Sequence, residues 1–174
     1  SQLQLQVGRY AAFLHRQGLR KDDVLVMQLP NCVEMHAIYL ACAISGIVVS
    51  PVPVQYRAHE LLHVLDMTCA RLAITTARVG HYAQSAQWSG LRTQRPALQQ
   101  VWALGDATAT EGTQGISALL PELEATPAWD AAQLRAHMQA IGIGAQDVLT
   151  ICWTSGTEAQ PKGVPRNHNE WLIV

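Results

Sequence analysis

Val24-Leu25-Val26-Met27-Gln28-Leu29-Pro30-Asn31 opens the stretch that decides the fold. Residues 24–29 are an almost unbroken apolar run ended by a proline, so a short strand buried on both faces is predicted there. Asn31, with Glu34 three residues on, predicts a capping-box start for the next element. Val33, Ala37, Leu40, Ala41 and Ile44 then recur at helical spacing, and Gly46 stops that helix. Ile47–Ser50 is a second apolar run, ended by Pro51 and Pro53. A buried strand, a helix and another buried strand in such close order make a parallel β-α-β unit.

The same alternation extends outward. Upstream, Val7, Tyr10, Ala11 and Leu14 fall on one helical face, and Gly18 can close that helix. Downstream, Leu61, Val64, Leu65 and Thr68 mark a helix, and Arg71–Thr75 reads as a third strand. The expected fold class is α/β: a parallel sheet with helices on both faces. Beyond Arg78 the pattern weakens. The expectation is helix then loop over 79–98, a strand over Gln100–Leu104, a polar loop over Gly105–Gly115 and a short helix over Ile116–Leu123. An amphipathic helix carrying Leu134, Met138 and Ile141 follows, ended by Gly142 and Gly144. A last strand is expected over Asp147–Trp153.

Composition bounds the function. The chain has 174 residues, 49% hydrophobic and 14% charged, with net charge −1. That is enough for one globular domain with a core, and it offers no basic surface for nucleic acid. No apolar run reaches the roughly 20 residues of a membrane span. The absence of an initial Met and the apolar run at Trp171–Val174 lead us to expect a fragment cut at both ends. Cys32, Cys42, Cys69 and Cys152 form no close pair, so free thiols buried in apolar surroundings, in a reducing cytoplasm, are expected rather than a zinc site. Only Lys21 and Lys162 are lysines, against ten arginines. A lysine inside a glycine-bearing loop hints at a point charge that a guanidinium would not replace.

That loop is Thr154-Ser155-Gly156-Thr157-Glu158-Ala159-Gln160-Pro161-Lys162-Gly163. It follows directly on a predicted strand, where ligands of an open parallel sheet bind. The hydroxyls of Thr154, Ser155 and Thr157 can donate to phosphate oxygens. Gly156 lets backbone approach, consecutive N–H groups can form an anion nest, and Lys162 adds a mobile charge. A Walker A loop does not fit: counting from Gly156, its second glycine falls on Pro161 and its Ser/Thr on Gly163. Composition alone also allows a tight polar turn between two strands.

The run Trp153–Val164 resembles the AMP-binding signature of the acyl-CoA synthetase, adenylation-domain and luciferase superfamily, usually Tyr-Thr-Ser-Gly-Thr-Thr-Gly-x-Pro-Lys-Gly-Val. The resemblance extends over Gly18–Asn31, Ala41–Pro53 and Tyr56–Leu61, and Asp147 and His168 fall where the family usually has Asp and His. Residues 79–140 match poorly, as a variable stretch would. On this reading residues 1–174 are an incomplete N-terminal AMP-binding domain. Two residues depart from the pattern. Ala159 stands where Gly is usual and allows fewer backbone conformations. Glu158 stands where Thr is common and brings a negative charge near polyphosphate. Both are expected to be tolerated.

The resemblance implies ATP-dependent activation of a small-molecule carboxylic acid to an acyl-adenylate, and transfer to coenzyme A, with Mg2+ sharing the phosphate charge. Thr154, Ser155, Gly156, Thr157, Glu158, Lys162 and Gly163 would bind the nucleotide, with Lys162 and Thr157 serving the chemical step. His168 and the remaining histidines are expected to be structural or on the surface, and Trp153 to be a packing aromatic. The run Pro165–His168 looks closer to free-standing ligases of aryl or alicyclic acids than to peptide-synthetase modules. An amino-acid adenylation domain and a non-catalytic nucleotide- or acyl-binding homologue are the alternatives. A piece of this length is expected to be inactive alone, and a homodimer is left open.

Overall fold

The computed structural model describes residues 1–106, 114–154 and 160–172. These build a seven-stranded sheet in the order β5-β4-β3-β1-β2-β6-β7. The strands are β1 (Val24–Gln28), β2 (Val48–Pro51), β3 (Leu72–Thr76), β4 (Gln100–Leu104), β5 (Ile116–Ala118), β6 (Val148–Thr154) and β7 (Lys162–Asn167). The helices are α1 (Gln2–Arg16), α2 (Val33–Ser45), α3 (Ala58–Thr68), α4 (Gln84–Gln94), α5 (Leu119–Glu124) and α6 (Ala131–Ile141). A 3₁₀ turn, Asn169–Trp171, follows β7.

The expected helices on both faces are present. Successive strand residues point to opposite sides, and the core divides accordingly. Leu25, Met27, Val49, Leu72 and Ile74 pack with residues of α1, α2, α5 and α6. Val26, Ala73 and Val101 pack with Leu61, Val64 and Leu65 of α3 and with Trp88 and Leu91 of α4. At the carboxyl end of β1 a buried polar network ties this second layer together. Trp88 Nε1 donates to Gln28 Oε1 at 2.8 Å, and Gln28 Nε2 donates to the carbonyls of Pro53 (3.0 Å) and Tyr56 (3.1 Å). Each of these groups would be costly to bury unpaired.

Tertiary packing moves several boundaries. The N-cap of α2 is Cys32, with no side-chain cap hydrogen bond, so the expected Asn31–Glu34 capping box does not form. Pro51 is the last residue of β2 rather than its stop; Val52 N–H then donates to the Met27 carbonyl at 2.9 Å and continues the pairing. Ile116–Leu123, expected as one helix, divides into β5 and α5, because Ile116–Ala118 pairs in parallel with Val101–Ala103. Cys69, expected to be buried, is exposed at the left-handed C-cap of α3, with φ +49°. Cys42 is buried, Cys32 and Cys152 are half-buried, and all four thiols are free. The loop expected over Gly105–Gly115 falls largely outside the described residues. Among the described residues no helix is long and apolar enough to cross a membrane.

The sheet also departs from a purely parallel one. β1 through β6 pair in parallel, but β7 runs antiparallel to β6 at the edge of the sheet. Val164-Pro165 opens no helix because this segment is the returning arm of a hairpin. Pro165 is accommodated because β7 has a neighbour on one side only.

Candidate nucleotide-binding site

The glycine-bearing loop leaves the sheet at the carboxyl end of β6 and returns as β7. Thr154 and Lys162 are Cα partners in the last pair of this ladder, so the hairpin places both ends of the loop side by side. Both residues are exposed, and among the described residues Thr154 Oγ1 makes only a long contact to the Lys162 carbonyl, 3.5 Å. Among the described residues no carboxylate pairs with Lys162. An exposed ammonium with no carboxylate partner among the described residues can face an incoming anion. Ser155, Gly156, Thr157, Glu158 and Ala159 lie outside the described residues. The expected roles of the first four, and the effects expected of Glu158 and Ala159, fall there with them.

Gly163 is required by space rather than by torsion. A Cβ on Gly163 would lie 2.9 Å from Ile151 Cγ2 and 3.2 Å from Trp153 Cη2. The Trp153 indole therefore lies against the glycine that follows Lys162. Trp153 is indeed a packing aromatic: it joins the α3–α4 core layer, and its Nε1 donates to Ser50 Oγ at 2.8 Å. Ser50 is fully buried on β2. The base of the loop is thus tied to the neighbouring parallel strand.

Two hollows adjoin the loop. One, about 580 Å³, is lined by His63, Met67, Gln160, Pro161, Lys162 and Gly163. The other, about 570 Å³, lies across the carboxyl ends of β1, β2 and β6 and includes Leu29, Asn31, Pro51, Gln55, Cys152 and Trp153. This is the side of an open α/β sheet on which ligands bind.

His63, which sequence alone leaves as an ordinary helix residue, reaches this site. Its Nε2 lies 2.9 Å from the Pro161 carbonyl, and its ring meets Trp153 edge-on at 6.1 Å. No spacing rule could pair residues 98 positions apart, and His63 lies off the apolar stripe of α3.

Asp147 and His168, the other two positions suggested by the resemblance, lie at the opposite end of the hairpin. Asp147 accepts from the Gly144 N–H at 2.8 Å and pairs with Lys21 at 2.7 Å. The Gly144 hydrogen bond first, and Lys21 second, hold its carboxyl below the usual carboxylate range. The His168 N–H donates to the Asp147 carbonyl at 3.2 Å. The pair anchors the foot of the hairpin. Among the described residues no group of three or more His, Cys, Asp or Glu side chains could hold a metal ion.

The model for the family described as AMP-binding enzyme matches residues 1–173. The chain is 26% identical over 168 residues to a 4-coumarate–CoA ligase of Pinus taeda, an overlap of 97% of this chain and 28% of that protein. It is 29% identical over 162 residues to the medium-chain fatty-acid–CoA ligase of Escherichia coli K12, an overlap of 93% of this chain and 27% of that protein. The crystal structure of ATP-bound MatB from Rhodopseudomonas palustris shares the fold with a TM-score of 0.73 at 24% identity, covering 96% of this chain and 29% of that one. The chain spans little more than a quarter of the length of these relatives. With the signature loop seated between β6 and β7 at the carboxyl edge of the sheet, and the family match running from residue 1 to 173, this chain belongs to the AMP-binding enzyme family.

Proposed function

We propose that the protein containing this chain is an AMP-forming acid–CoA ligase acting on an aryl or fatty carboxylic acid, and that residues 1–174 are the first part of its AMP-binding domain. One observation carries this reading. The two ends of the Trp153–Val164 signature lie on the paired strands β6 and β7, and Lys162 at its exit is exposed with no carboxylate partner among the described residues. The names of the relatives, which are CoA ligases, support the same reaction class.

In the proposed reaction the substrate carboxylate attacks the α-phosphorus of ATP. A carboxyl-oxygen–phosphorus bond forms, the bond to the bridging oxygen breaks, and pyrophosphate leaves with the electron pair. The coenzyme A thiol, losing its proton, then attacks the acyl carbon and AMP leaves. The attacking carboxylate is already ionised and needs no base. The task of the loop is therefore to position the polyphosphate and offset the charge on the leaving group. Lys162 supplies the charge. Thr154 hydroxyl and the backbone around Gly163 adjoin it, and Ser155, Gly156, Thr157 and Glu158 complete the proposed grip. Magnesium, when bound, would neutralise phosphate oxygens, but the described residues make no cage for it, and no step here is assigned to it.

The test is ATP–pyrophosphate exchange by the full-length protein with a panel of aryl and fatty acids. Lys162→Ala should slow exchange by roughly 10²-fold, the loss typical of removing one group that stabilises developing charge. Exchange at the wild-type rate would remove Lys162 from this role, and absence of exchange by wild type across the panel would reject the ligase assignment.

A further inference from the structure

Resting on the nucleotide-binding reading of the loop, we propose that His63 is its positioning residue. Its Nε2–H holds the Pro161 carbonyl and so fixes where β7 delivers Lys162. A carbonyl carries no proton, so at 2.9 Å the imidazole must be the donor. Pro161 lies one residue beyond the last paired position of the hairpin, Thr154–Lys162. Among the described residues, His63 is the partner of its carbonyl.

The donor is presented from a rigid element. α3 is held by buried Leu61, Val64 and Leu65, and its start is closed by Glu60, which accepts from the Arg57 N–H at 2.9 Å. The His63 ring is braced edge-on against Trp153, which itself is fixed to Ser50 and lies over Gly163. One half-buried imidazole thus touches the entry strand through Trp153 and the exit strand through Pro161. A loop that binds polyphosphate must order both stems. Holding the exit stem beforehand raises the fraction of molecules ready to bind, and the apparent affinity rises by the same factor.

Two measurements on the full-length protein, comparing wild type, His63→Ala and His63→Gln, decide this. In ATP–pyrophosphate exchange, His63→Ala should raise KM for ATP about fivefold, the effect of losing one ordinary hydrogen bond. It should leave kcat and the KM for the acid unmoved. His63→Gln, whose amide can donate to the same carbonyl, should restore the ATP KM. A merely structural role would instead lower kcat with every substrate and leave the ATP KM in place. In the second measurement, made without ATP, trypsin should cut the Lys162–Gly163 bond about fivefold faster in His63→Ala, because β7 opens more often, and at the wild-type rate in His63→Gln. An unmoved ATP KM, a glutamine variant as impaired as the alanine one, or an unchanged cleavage rate would each overturn the proposal. Cleavage needs no catalysis, so a wild type inactive in exchange would reject the ligase reading while the trypsin comparison still decides whether His63 holds the stem.

Discussion

β1 and the β6–β7 hairpin belong to one sheet but differ in almost every physical respect. β1 has a parallel neighbour on each side and helices over both faces, and Leu25, Val26 and Gln28 are fully buried. β7 has one neighbour, runs antiparallel, and is mostly exposed. The difference separates a packed centre from an open edge. The centre can be changed only at the cost of packing, whereas the edge can carry a charged, polar loop because water reaches it. Trp153 bridges the two regimes, with its indole in the core layer and its backbone at the entrance to the loop.

The sharpest way to break this comparison is at the centre. Trp88→Ala should destabilise the protein by about 3–5 kcal/mol in urea unfolding, since it empties a fully buried site and leaves Gln28 Oε1 without its donor. A loss no greater than that of an edge substitution would mean the two regions are not distinct. Gly163→Ala should cost less, about 1–3 kcal/mol, because its Cβ meets Ile151 and Trp153 in a hairpin that has solvent on one side. Lys162→Ala should leave unfolding within about 0.5 kcal/mol of wild type, as an exposed side chain away from any buried feature, whatever its effect on exchange.

The mildest effect concerns pH. His15 and His137 lie face to edge, 5.7 Å apart, beside Trp129. Burial lowers the pKa of both, with Arg20 adding to the effect on His15, and His15 and then Arg20 to that on His137. The folded protein therefore binds fewer protons than the unfolded chain below about pH 6.5. This contribution to stability should be intact above that pH and fall as pH drops through the window down to the folded pKa values. Replacing both histidines with glutamine should flatten the decline in urea midpoint between pH 7.5 and 5.5; an identical decline would show that the pair plays no part in it.

Much of this architecture was legible in the residues. The run 24–29, the stripe from Val33 to Ile44 and the run 47–50 announce a β-α-β unit, because strands buried on both faces must be apolar throughout. Gly46 and Gly142 mark helix ends correctly, each in the left-handed region at φ +66° and +62°. Where local and tertiary signals conflict, the local ones lose. Ile116–Ala118 has the residues of a helix start, yet the open edge of β4 takes it as a strand. Cys69 has apolar neighbours in sequence, yet it sits at a helix end facing water.

By itself the sequence determined the alternating α/β plan, the position of the glycine-bearing loop after a strand, and the family, because these depend on residue type and short spacing. Tertiary structure alone decided that the loop spans an antiparallel edge hairpin, that Thr154 and Lys162 stand opposite each other, and that His63 meets Pro161. The physical reason is distance along the chain. Contacts such as His63–Pro161, 98 residues apart, and Trp153–Ser50, 103 residues apart, leave no periodic trace in the sequence and come into being only when the sheet is assembled.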